Sequence, residues 1–199
     1  MKKHTYNSLV LVLLLSIFSC SDSEKFDIEK GKVGHLTTKT TIKELSEIFK
    51  NDSIVSNLSE GALGDNYFQD DDEYLIYNKL GKHLLTIVPK EQLDTTSTIK
   101  SIQVFDDRFK TNTGLTIRTT FSDIRANNNI NKIESSFSSA TLFIDELNVT
   151  IAIDKQELGL KAFSNQKVTL EQIQDIAKID RKSVVKGKSV DIGRECSIK

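Results

Sequence analysis

Two apolar rhythms alternate along the chain, one of three to four residues and one of two. In TTIKELSEIF, residues 40–49, Ile42, Leu45, Ile48 and Phe49 recur at spacings of three and four, so one face of a short helix is apolar and must be covered. Thr41 and Glu44 stand there as a capping box, each side chain serving the other's backbone. The rhythm then changes to two in DEYLIYNKLGKHLLTIVPK, residues 72–90, which predicts two strands joined through Leu80-Gly81, with Gly supplying the positive φ of a tight turn. STIKSIQVFDDRF, residues 97–109, predicts a third strand, with Ile102 and Val104 on one face and Ile99 and Phe105 on the other.

The chain then says much the same again. LTTKTTIKEL, residues 36–45, and LTIRTTFSDI, residues 115–124, share Leu, Thr, a basic residue, Thr-Thr, an apolar residue, an acid and a final aliphatic. Thr120 and Asp123 repeat the capping box, and Phe121 and Ile124 the buried pair. ATLFIDELNVTIAIDK, residues 140–155, follows as two β-rich runs joined around Glu146-Leu147-Asn148, where Asn tolerates a left-handed backbone. A third Thr-led start, TLEQIQDIAKI from Thr169, places Gln172 in the capping position and Ile173 and Ile176 on one stripe. The pattern predicts an α+β fold of two helix-then-antiparallel-meander units, about 33–110 and 111–179, sharing or joining a β-sheet. Duplication explains the likeness, and chance similarity of two helix starts is the alternative.

The termini read differently. Lysines at 2 and 3 precede an apolar run from Leu9 to Phe18, interrupted by Ser16 alone. As a helix that run is about 15 Å long, half of a hydrocarbon core, so residues 1–19 read as a cleaved export signal and not a membrane span. Ile17-Phe18-Ser19-Cys20 resembles a bacterial lipobox, although an aromatic at position 18 departs from the commonest pattern. The resemblance implies that Cys20 Sγ carries a diacylglyceryl group, that its freed amine is acylated, and that the mature chain begins there, held on a bilayer by its acyl chains. A free exported thiol is the alternative. SDSEKFDIEKGK after it is polar, and residues 20–32 read as the acylated cysteine and a flexible tether. Acids at 22 and 24 resemble the export signal of envelope lipoproteins of the Bacteroidetes, which implies the outer membrane, with its cell-surface face favoured over the periplasmic one. Residues 180–199, DRKSVVKGKSVDIGRECSIK, resemble translated sequencing adapter and read as a non-native tail. A genuine basic tail is the alternative.

Charge narrows the partners. Residues 21–179 carry 19 Lys and Arg against 25 Asp and Glu, a net charge of −6, which argues against nucleic acid. No cysteine lies between Cys20 and Cys196, so the fold relies on burial. There is no Walker loop, dinucleotide turn, GxSxG or HExxH. His4 leaves with the signal, and His35 and His83 are too few for a conventional zinc site, so no metal and no cofactor is expected. Ser97 to Lys100, STIK, has the serine-lysine spacing of penicillin-interacting enzymes, but in a predicted loop and strand without their other motifs. Asp70 to Glu73, DDDE, could gather a hard cation, but it lacks the alternation and the Gly of a calcium loop.

Two function classes remain. The first is a non-catalytic module anchored to the membrane through lipid on Cys20, which binds an envelope protein or glycan. In arrangement the chain resembles the small accessory lipoprotein of the outer-membrane barrel-assembly machine and, in duplicated form, the β-lactamase-inhibitor protein. The second is an envelope hydrolase using paired acids, for which Asp70 to Glu73, Asp106, Asp107 and Asp145 are the candidates. The first is preferred, with no catalytic residue assigned.

Overall fold

The computed structural model describes residues 22–59, 71–161 and 165–179, and the backbone of 184–185. The signal, Cys20, Asp70 and most of the C-terminal tail lie outside the described residues.

The architecture is mostly β. Strands β1 (Asp27–Glu29), β2 (Lys32–Val33), β3 (Leu36–Thr37) and β8 (Lys110–Thr111) form one sheet in the order β3-β2-β1-β8, parallel between β1 and β8. Strands β4 (Ser53–Asn57), β5 (Glu73–Tyr77), β6 (His83–Pro89) and β7 (Ile99–Val104) form an antiparallel meander, and a short β12 (Val184–Val185) pairs with β7 at its edge. Strands β9 (Lys132–Ser135), β10 (Ser139–Ile144) and β11 (Val149–Asp154) make the third sheet, ordered β11-β10-β9. Among the described residues, helix is confined to α1 (Leu45–Ile48), α2 (Phe121–Asn127) and 3-10 turns at Asp22–Phe26, Ile42–Glu44 and Leu170–Gln172.

The expected α+β pair of helix-then-meander units is therefore not the fold. The Glu44 carboxylate does accept from the Thr41 N–H and hydroxyl, both at 2.6 Å, but the turn it starts ends at Phe49 after one 3-10 and one α turn. At Thr169 the capping box holds a single 3-10 turn, Ile173 is already extended, and Ile176 is exposed instead of sharing its stripe. A capping box satisfies the first N–H groups of a turn, whereas the length of a helix depends on how much of its face finds cover. Only α2 has a second turn. Strand β8, at residues 110 and 111, pairs in parallel with β1 near the N-terminus. Residues 27–32, read as the end of a tether, are largely strand, with Ile28 buried.

The repeated phrase builds a corner. In each copy a Thr hydroxyl, Thr40 or Thr119, accepts from the N–H three residues before it, and the leading Leu36 or Leu115 is buried. Each corner closes through an isolated antiparallel bridge to a later segment, Thr41 to Thr98 and Thr120 to Lys178. Ile42 N–H donates to the Ser97 carbonyl and Phe121 N–H to that of Ala177, so both corners are tied to distant chain.

One hydrophobic cluster unites the three sheets. Ile76, Leu85 and Ile87 enter it from the meander, and Leu142, Ile144 and Ile153 from the third sheet. Full burial of such a side chain contributes about 1.5–3 kcal/mol. Along β5, Tyr74 and Ile76 face this core while Leu75 and Tyr77 lie half-buried on the other face, as period-2 alternation requires. A bulge between Ile76 and Tyr77 sets Tyr77 opposite His83. That irregularity positions the site.

Candidate functional site

Four chain segments meet at the end of the meander around a cleft of about 530 Å³ lined by Lys82, Phe105, Asp107, Arg118 and Lys178 with Ile117 and Ile179. The β5–β6 turn supplies Lys82. Gly81 adopts φ 74° there, and Asn78 Oδ1 accepts from the N–H of Leu80 and of Lys82, both at 2.9 Å. The second corner supplies Ile117 and Arg118, with Arg118 N–H donating to Thr116 Oγ1 at 3.1 Å. Lys178 comes from the segment bridged to Thr120, and Phe105 from the continuation of β7, its N–H on the Leu84 carbonyl.

Phe105 ends a three-ring stack. The His83 ring lies 4.0 Å from it and 4.9 Å from Tyr77, nearly parallel to both. His83 Nε2 is 3.0 Å from the Leu85 carbonyl and 3.0 Å from Thr86 Oγ1, and burial pushes its pKa below the usual histidine value. The imidazole is thus a spacer between the two rings, and burial disfavours its charged form. Phe105 also lines the cleft.

Beneath the cleft lies a fully buried acid. Asp106 accepts from Arg108 Nε at 2.9 Å, Arg108 Nη2 at 3.0 Å and the Arg108 backbone N–H at 2.9 Å, with Lys82 Nζ at 3.0 Å. Burial alone would push its pKa up, but these donors outweigh it and bring the pKa down to about 2. The Lys82 and Arg108 values move upward in response. Arg108 also lies over the Phe26 ring at 4.3 Å, and Phe26 meets Phe109 edge to face. The network therefore fastens the N-terminal segment to the turn after β7.

Asp107 sits at the rim. Its carboxylate is 2.5 Å from Arg118 Nε and 3.5 Å from Lys82 Nζ, and Arg118 is 78% exposed. Among the described residues, Lys82, Arg108, Arg118 and Lys178 stand against Asp106 and Asp107, with Asp52 also acting on Arg108, a cation-rich patch on a body whose net charge is −6.

The acids considered as a catalytic pair are held in separate structural roles. Asp71 binds Lys100 Nζ through both oxygens. Asp72, 1% exposed, accepts from the Ser59 N–H and hydroxyl and from the Leu93 N–H, which hold its pKa down against the desolvation of burial. Glu73 lies in β5 opposite Asn57, and Asp145 follows β10 with its N–H on Asn131 Oδ1. Neither Asp72 nor Asp106 has the raised pKa of a general acid. The STIK spacing makes no dyad, since Ser97 Oγ donates to the Thr98 carbonyl while the Lys100 amine is taken by Asp71. Among the described residues, no three His, Cys, Asp or Glu side chains gather as metal ligands, and no helix is long and apolar enough to cross a membrane.

Sequence reading placed Asp106 and Asp107 among the candidates but missed Lys82, Phe105, Arg118 and Lys178 as their neighbours. Arg118 was visible as the basic residue of the repeated phrase. Its convergence with the β5–β6 turn carried no local signal.

The fold and site define a mostly β protein with a cation-rich cleft at one sheet end. No family model and no curated protein matches the chain. A solved structure, that of the uncharacterized protein yfeY from Escherichia coli, is similar to it with a TM-score of 0.46 and 15% identity, covering 81% of this chain and 96% of that one.

Proposed function

We propose that the chain is a non-catalytic binding module tethered to the cell envelope through lipid on Cys20, on the outer membrane and at its surface face. The observation that carries the binding role is the cleft, where four segments bring cations and an aromatic ring together. The lipobox-like Ile17-Phe18-Ser19-Cys20 supports the tether. Described structure begins at Asp22 and the first strand at Asp27, so little chain separates the acylated cysteine from the folded body. The body rides close to the lipid headgroups.

Replacement of Cys20 by Ser tests the anchor. The expected outcome is that the variant leaves the membrane pellet for the soluble fraction of the native host, while the wild type sediments and incorporates labelled palmitate. Sedimentation of the variant with membranes to the same extent overturns the reading. Protease shaving of intact cells tests the face, with digestion at the rate of a known surface protein expected and protection equal to that of a periplasmic control refuting it.

A further inference from the structure

We propose that the cleft binds a sugar bearing an oxyanion, either a carboxylate or a phosphate monoester, and that Asp107 is the resident counter-ion this group displaces. The proposal rests on the binding-module reading and names its ligand class.

Size comes first. About 530 Å³ falls within the range of small-ligand pockets, about 300–1,000 Å³, and suits one or two pyranose rings. Charge comes second. Among the described residues, Lys82, Arg118 and Lys178 line the cleft with Asp107 as the one lining carboxylate, and a concave cationic site on an anionic body concentrates small anions. A polyanion would meet the surrounding negative surface, whereas a ligand contained within the cleft does not.

The third observation concerns how the charges are already used. Lys82 is held by the buried Asp106 at 3.0 Å, so Asp107, at 3.5 Å, is its weaker partner. Arg118 pairs with Asp107 at the rim, where exposed ion pairs contribute about 0–1 kcal/mol, so the exchange of that carboxylate for a ligand's costs little. A guanidinium takes a carboxylate or a phosphate through two parallel N–H donors, and Lys178 stands by as a point charge. The fourth observation is the ring. Phe105 lines the cleft and stacks on His83, which stacks in turn on Tyr77, and the electron-rich face of an aromatic ring accepts the C–H face of a sugar. A ligand that uses both halves of the cleft carries an anion and a ring together.

The test uses the full chain in a non-glycosidic detergent, titrated with glucuronate, glucose 6-phosphate, glucose and inorganic phosphate by ligand-observed NMR. At least one of the two anionic sugars is expected to bind at least tenfold more tightly than both glucose and inorganic phosphate, with affinity falling severalfold between 50 and 300 mM salt. Binding by only one of them still supports the proposal and fixes the oxyanion. Arg118→Ala, at an exposed position, is expected to weaken binding at least tenfold, Phe105→Leu about fivefold, and Asp107→Asn to tighten it severalfold. Failure of both anionic sugars to bind overturns the proposal. So does glucose binding as tightly as the anionic sugars, inorganic phosphate doing so, or an Asp107→Asn affinity equal to that of wild type. Failure here with release of the Cys20→Ser chain from membranes removes the ligand class and keeps the anchored binder, whereas the converse pair of results removes the anchor and keeps the cleft chemistry.

Discussion

Asp106→Asn removes one charge from a site of zero exposure while keeping the shape of the side chain. In the folded protein the carboxylate has a pKa of about 2 against an ordinary 3.8, a difference worth on the order of 2 kcal/mol at neutral pH. The amide offers one acceptor where two stood, and the bonds from Arg108 and Lys82 that it loses are the same ones that depress the pKa, so they are contained in that figure. The expected cost is about 2 kcal/mol, or a Tm lowered by about 4–8 °C for a chain of this size. The sign of the pH effect follows from the depressed folded value. The folded state binds fewer protons, so the contribution is present in full above about pH 5, declines as pH falls, and is gone below about pH 2. Asp72, also depressed, titrates in both proteins, so the difference between their stability curves isolates Asp106. Urea unfolding followed by far-UV circular dichroism from pH 7 to 2 provides those curves. Parallel curves below pH 5, or a cost under about 0.5 kcal/mol at pH 7, refute the reasoning.

Gly34→Ala is expected to cost more than about 2 kcal/mol, since φ is 55° and a Cβ would lie 2.4 Å from the Lys25 carbonyl oxygen. Gly31→Ala, with φ 74° but its nearest neighbour the Thr38 methyl at 3.6 Å, is expected to cost only about 1–2 kcal/mol, so urea midpoints of the two variants separate clash from strain. Leu93→Gly should raise stability by about 0.5–1 kcal/mol, because Leu93 holds φ 55° with its side chain 66% exposed, and a lower melting temperature would count against that account. Thr120→Ala should cost about 1 kcal/mol in thermal unfolding through loss of the α2 cap, and an unchanged Tm would show that the capping bonds contribute nothing.

How much of this was legible depended on the range of the forces involved. The strands at 73–77, 99–104, 139–144 and 149–154 were announced by period-2 alternation, that at 83–89 by a continuous β-rich run, and the turns by Gly81 and Asn148, both of which take positive φ. These are local facts of backbone sterics. β4 carries a local signal in the adjacent β-branched Ile54 and Val55, and β9 offers Ile133 alone between charges. β1, β2, β3 and β8 were not legible, since strands of two or three residues show no periodicity and exist because other short strands pair with them. The cleft was half legible for a similar reason. Asp107 and the buried Asp106 beside it stood out as neighbours in sequence, while Arg118 and Lys178 join them through a corner and a bridge that only packing closes.

Local chemistry was enough to place the capping Thr residues, the tight turns, the alternating strands, the acidic net charge and the lipobox-like cysteine, because each depends on residues a few positions apart. Helix length, the parallel union of β1 with β8, the recruitment of residues 27–33 into a sheet and the gathering of cations around Asp106 and Asp107 depend on residues tens of positions apart. Their free energy comes from burial and from desolvated charge pairs, which exist only once distant segments have met.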